Sequence, residues 1–137
     1  MNRYVSVVAM VAVASALAAC DRGATSPKGA IDATYDMTSI NGSALPFSKT
    51  LGTATLRITS DVLVLRGDGT YEDQTNYEIP SGQRVQKTTS IERGKYSISD
   101  GAISFNDQTN GSRYGGTISG TTLTQSVNGL TPVYERR

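Results

Sequence analysis

Acid–base chemistry in this chain would have to come from carboxylates, because the sequence has no His, the commonest general base and metal ligand. Glu72, Asp73 and Glu78 fall on one alternating run. Glu72 and Glu78 have the parity opposite to Tyr71, Tyr77 and Ile79 and should face water, whereas Asp73 shares the aromatic face. An inward carboxylate needs a partner, for which Arg57, Arg66, Arg93 and Arg113 are the candidates, or else a shifted pKa. Buried charges are rare without a reason, so Asp73 is a candidate for touching a ligand. Other chemistry thins out quickly. Ser and Thr are abundant, but the only amine bases are Lys28, Lys49, Lys87 and Lys95, and no spacing suggests a Ser-Lys pair. No catalytic role and no cofactor are expected. Asn106-Asp107-Gln108-Thr109-Asn110-Gly111 offers oxygen donors but lacks the bidentate Glu of a calcium loop, so it reads as a solvated hairpin loop with no metal. Arg66-Gly67-Asp68 is formally an adhesive tripeptide, yet Gly67-Asp68-Gly69 is also what a tight turn requires.

Tyrosine is the second resource. Of Tyr35, Tyr71, Tyr77, Tyr96, Tyr114 and Tyr134, all but Tyr134 share parity with the apolar face of their run. A ring with a polar tip can hold a small amphipathic ligand inside a barrel, so Tyr35, Tyr71, Tyr77, Tyr96 and Tyr114 join Asp73 as candidate ligand-binding residues. The competing expectation is that these rings simply fill a narrow core.

The single Cys excludes an internal disulfide and a thiolate metal cluster, and its position is informative. Met1-Asn2-Arg3 gives a short positive start, Tyr4 to Ala16 is apolar apart from Ser6 and Ser15, and Leu17-Ala18-Ala19-Cys20 closes the segment. The layout fits a helical secretory signal peptide over residues 1–19, with an apolar region shorter than the roughly 20 residues of a spanning helix. Leu17-Ala18-Ala19-Cys20 resembles a bacterial lipobox, which implies cleavage between Ala19 and Cys20 and lipidation of Cys20. Two or three acyl chains, palmitate among them, would anchor the protein stably at a cell-envelope membrane facing the periplasm. Asp21 resembles the signal that retains lipoproteins in the inner membrane, and the outer membrane is the alternative. Residues 20–30, small, polar and Pro/Gly-containing, read as a flexible tether. With 13 Lys+Arg against 12 Asp+Glu there is no basic footprint for nucleic acid.

The remainder must position Asp73 and the tyrosines, and its signature is a period of two. In Thr53-Ala54-Thr55-Leu56-Arg57-Ile58-Thr59, Ala54, Leu56 and Ile58 point one way and the polar residues the other. The alternation returns at Tyr96/Ile98, Ile103/Phe105, Tyr114/Ile118 and Leu123/Val127, punctuated by Asp100-Gly101, Asn110-Gly111, Ser119-Gly120 and Asn128-Gly129. Such pairs suit tight hairpins, so neighbouring strands should be antiparallel. Strands are expected near 33–41, 53–59, 61–66, 70–79, 84–91, 94–99, 102–106, 112–119, 121–127 and 131–136, some merging into longer bent strands. The expected fold is all-β: an antiparallel up-and-down meander over residues 31–137 that closes into a small barrel or half-barrel.

Three segments carry a family resemblance. Tyr35-Asp36-Met37-Thr38-Ser39-Ile40-Asn41-Gly42 with Leu45-Pro46, then Leu63-Val64-Leu65-Arg66-Gly67-Asp68-Gly69-Thr70-Tyr71, then Leu130-Thr131-Pro132-Val133-Tyr134-Glu135-Arg136-Arg137 together resemble bacterial lipocalin-like lipoproteins. Tyr35 stands where true lipocalins have the Trp of the first strand. META-domain lipoproteins are a rival resemblance. The lipocalin-like resemblance implies a monomeric envelope lipoprotein whose barrel holds a small apolar or amphipathic ligand. The alternative is a protein-interaction, inhibitory or envelope-maintenance module with a solid core, contacting an envelope protein.

Overall fold

The period-two pattern becomes ten strands in a computed structural model that describes residues 29–137. They are β1 (Ala33–Ile40), β2 (Ser43–Ala44), β3 (Phe47–Leu51), β4 (Ala54–Leu65), β5 (Thr70–Ser81), β6 (Arg84–Ser99), β7 (Ala102–Asp107), β8 (Arg113–Ser119), β9 (Thr122–Ser126) and β10 (Pro132–Arg136). Each pairs antiparallel with its neighbour in the order β2-β1-β10-β9-β8-β7-β6-β5-β4-β3, and β1 pairs with β4 as well. That last pairing, Ala33 opposite Leu65 through Asp36 opposite Val62, closes β1 and β4–β10 into an eight-stranded barrel. The half-barrel alternative is thereby corrected to a closed one. The signal peptide, Cys20 and most of the tether lie outside the described residues; Ala30 already packs against the barrel core.

Hairpin turns fall where the Asn-Gly and Asp-Gly pairs stand. Asn41-Gly42, Asp100-Gly101 and Asn128-Gly129 each put two successive residues at positive φ, between 50° and 79°, which matches the twist of the strands they join. Arg66-Gly67-Asp68 lies in the β4–β5 turn, where the Asp68 carboxylate accepts from the Thr70 N–H at 2.9 Å and hydroxyl at 2.6 Å. Asn106 and Asp107 end β7, and the loop after them is organised by Asp107, which accepts from Thr109 N, Asn110 N and Ser112 Oγ.

Two expected pairs of strands merge. Segments 53–59 and 61–66 are one strand, β4, carrying a bulge between Ile58 and Ser60; segments 84–91 and 94–99 are one strand, β6. Strands β2 and β3 lie where the sequence suggested none. They are short edge strands added outside the closed barrel, and the five residues of β3 pair only with β4.

The barrel is filled at one end and open at the other. At the filled end Tyr35, Leu63, Leu65, Tyr71, Tyr96, Ile103, Phe105 and Leu123 are buried, each such side chain contributing about 1.5–3 kcal/mol of apolar burial. The Tyr96 hydroxyl ties this end shut, bonding Ile31 O at 2.7 Å, Arg66 O at 2.8 Å and Ile31 N at 2.8 Å. At the other end, the first half of β4, the second half of β5 and the first half of β6 run on past the β7–β8 loop as a wall, with residues 84–91 of β6 exposed.

Candidate functional site

The open half holds a cavity of about 400 Å³ lined by residues from every barrel strand except β7 and from the loops after β7 and β9. That volume lies within the roughly 300–1,000 Å³ usual for small-molecule sites. Ile40, Ile58, Val127, Leu130 and Pro132 give it apolar surface, and its polar residues include Asp61, Asp73, Thr75, Glu92, Gln125 and Tyr134. No Lys or Arg lines it.

Parity and register explain how acids come to face inward. Asp73 stands opposite Leu63 on β4 and opposite Glu92 on β6, so it lies on the same face as both. Asp61 stands opposite Thr75, whose hydroxyl donates to Asp61 Oδ2 at 2.6 Å. The bulge around Thr59 keeps both Ile58 and Asp61 inward although they are three residues apart. Asp61 and Asp73 line the same cavity from adjacent strands, close enough for the charge of one to act on the other. Burial and the charge of Asp61 push Asp73 well above the usual carboxylate range. Burial raises Asp61 as well, against the opposing effect of the hydrogen bond from Thr75.

Glu92 is held differently. The hydroxyls of Tyr71, at 2.7 Å, and Tyr114, at 2.5 Å, both donate to its Oε1. Phe105 braces the two phenols, edge-on to Tyr71 and stacked on Tyr114. Burial raises the pKa of both tyrosines, and the Glu92 carboxylate that they bond raises it further, so both hydroxyls remain donors. Tyr134, fully buried, donates a long 3.5 Å bond to Gln125 Oε1. Three atoms are left over: Asp61 Oδ1, Asp73 Oδ1 and Gln125 Nε2 are buried without a protein partner. A buried donor or acceptor without a partner costs about 1–3 kcal/mol, so such atoms concentrated in one cavity call for a reason.

The candidates named from sequence divide between the two halves. Asp73, Tyr77 and Tyr114 line the cavity. Tyr35 and Tyr96 belong to the filled end, and Tyr71 reaches the site only through its bond to Glu92. None of the four arginines partners Asp73: Arg57 pairs with Glu78 at 3.2 Å, and Arg66 and Arg93 pair with Glu72, all on the outer face. Arg113, which lines a groove with Lys95, Ser97 and Ser104, does not line the cavity. Tyr134, which sequence parity excluded from the apolar face, is inside, opposite Met37 and Leu123. Asp61, Glu92 and Gln125 were missed. Each is in phase with inward neighbours, Asp61 with Leu63 and Leu65, Glu92 with Gly94 and Tyr96, and Gln125 with Leu123, and that phase was the available signal.

Among the described residues no group of three or more acidic, His or Cys side chains is arranged to hold a metal ion, and no helix is long and apolar enough to cross a membrane. Compared with known protein families and with curated proteins, the chain matches no family and no individual sequence.

Proposed function

We propose that this chain is a lipid-anchored cell-envelope binding protein of the lipocalin-like kind, whose barrel holds a small amphipathic molecule in its open half. The observation that carries the reading is the cavity itself: an eight-stranded barrel packed solid at one end and, at the other, enclosing about 400 Å³ between apolar surface and partnerless polar atoms. A core meant only to be filled would place apolar side chains there. Anchoring suits the geometry. Residues 29–31 join the barrel at its filled end, where Ile31 is bonded to Tyr96, so a lipid on Cys20 leaves the mouth unobstructed.

The test is native mass spectrometry of the full chain, expressed in a bacterial host and purified gently. The expected result is acyl mass on Cys20 together with a discrete further mass that leaves on denaturation. An unacylated chain that retains residues 1–19 would overturn the anchor. A clean ligand-free mass would favour the second reading, a protein-interaction module, which rests on the wall beside the mouth. There Val85 and Ile91 are 55% and 40% exposed, and β6 pairs with β7 only from Gly94 onward, leaving a free strand edge.

A further inference from the structure

We infer that the open half of the barrel selects a small protonated amine, its ammonium seated against Asp61 and Asp73 and an oxygen acceptor beside it within reach of Gln125. The inference rests on the binding reading above and names the class of molecule bound. Two carboxyls on adjacent strands share a cavity with a third, Glu92, directly opposite Asp73 on β6, and no Lys or Arg reaches them. Like charges facing across a ladder repel, and an enclosed site weakens water's power to screen them. The Tyr71 and Tyr114 hydroxyls satisfy Glu92, and nothing equivalent serves Asp61 Oδ1 or Asp73 Oδ1.

Gln125 is a second and independent pointer. It is 3% exposed, it carries no charge, and its Nε2 donor lacks an acceptor while its Oε1 is taken by Tyr134. Two partnerless acceptors and one partnerless donor, buried on side chains that line one cavity, describe the complement of a ligand with N–H donors and an oxygen. The charge follows from the acids. An anionic ligand, a fatty acid for example, would be repelled, whereas an ammonium supplies the donors and the counter-charge together. Ile40, Leu130 and Pro132 offer surface to an apolar remainder.

When the ammonium enters, its charge favours the ionised carboxylates, and a proton that burial holds on Asp73 is released to solvent. The titratable groups around that pair are Asp61 on β4, Asp73, Tyr71 and Tyr77 on β5, Glu92 on β6, Tyr114 on β8 and Tyr134 on β10. Of these groups, Asp61 and Asp73 are the carboxyls whose Oδ1 atoms lack a protein partner.

Three probes of one shape separate the alternatives: phenethylammonium, phenethyl alcohol and phenylacetate, titrated calorimetrically into the full chain at neutral pH. Phenethylammonium should bind about tenfold or more tightly than the alcohol, and phenylacetate more weakly than either. Asp61→Asn and Asp73→Asn preserve side-chain shape and should each bring the ammonium to the affinity of the alcohol. Glu72→Gln, on the outer face of the same strand, should change nothing. Repetition in buffers of different ionisation enthalpy should reveal proton release in the native chain and none in Asp73→Asn. Equal binding of ammonium and alcohol, or entry of a polarity-sensitive naphthalene dye without any preference for the ammonium, overturns the cation assignment and leaves the binding reading standing. Exclusion of the dye and of all three probes overturns both.

Discussion

The Tyr96 hydroxyl joins three pieces of chain: Ile31 from the entering segment, Arg66 from the β4–β5 turn, and its own β6. Burial raises its pKa, so it stays a donor while also accepting from Ile31 N. Tyr96→Phe removes those bonds without emptying the ring's volume and leaves two half-buried carbonyl groups without their donor. The expected loss is about 1–3 kcal/mol in urea denaturation, with ligand binding unchanged because the cavity lies in the other half. An equal loss of binding would show that the two halves are coupled. The residues of the site were unequally legible. Asp73 could be read from its phase with Tyr71 and Tyr77 on one unbroken run. Tyr134 could not, because its strand offers only Pro132 as an inward neighbour and a proline is a weak marker of face. Partnership was invisible altogether: sequence offered four arginines to Asp73, and register placed an aspartate and a glutamate beside it instead.

At the scale of elements, β4 shows why strand pattern gave the fold class but broke one strand in two. A simple alternation that puts Leu56 and Ile58 inward puts Asp61, Leu63 and Leu65 outward, and only an extra residue reconciles the two halves. That residue is Thr59, whose hydroxyl reaches across to Asn76 O at 3.2 Å while Ser60 receives the Asn76 amide at 2.9 Å. Deleting Thr59 should therefore regularise the strand and leave every inward residue inward. The variant is expected to fold with a strand-type circular dichroism spectrum and a modest loss of stability. Deleting Ser97, in the regular ladder between Tyr96 and Ile98, turns one of these buried neighbours outward and should abolish cooperative unfolding. Equal tolerance of both deletions would refute the bulge as the source of the inward Asp61. A second bulge, between Met37 and Ser39 on β1, lets Met37 and Ile40 face inward together in the same way. The missing β2 and β3 have an equally local cause: they are edge strands with little buried surface, so their sequences carry no alternating apolar signal.

For the whole molecule, the acids inside and outside the barrel pull stability in opposite directions as pH changes. Outside, the hydrogen bond and charge of Arg137 lower the pKa of Asp36, and those of Arg93 lower that of Glu72. In the β7–β8 loop burial works against Asp107, yet donors from Thr109, Asn110 and Ser112 outweigh it and lower its pKa too. Such groups bind fewer protons folded than unfolded, so their contribution is present above the ordinary carboxylate range and fades as pH falls through it. Asp61 and Asp73 behave conversely. Their raised pKa values mean that the folded chain holds more protons than the unfolded one, so their contribution is complete below the ordinary carboxylate range and is lost as pH rises through the raised values. The unliganded protein should therefore be most stable under mildly acidic conditions and weaken as pH rises above the ordinary carboxylate range, at about 4, through the raised values of the two aspartates. Asp73→Asn should flatten that alkaline limb and leave the acid limb, set by Asp36, Glu72 and Asp107, in place. Chemical denaturation of both chains across this range measures the difference directly. A native chain with no alkaline decline, or a variant that declines equally, would show that burial in the barrel does not hold a proton on these aspartates. Saturation with phenethylammonium should have the same flattening effect as the substitution, because the ligand's charge and the lost carboxylate relieve the same repulsion.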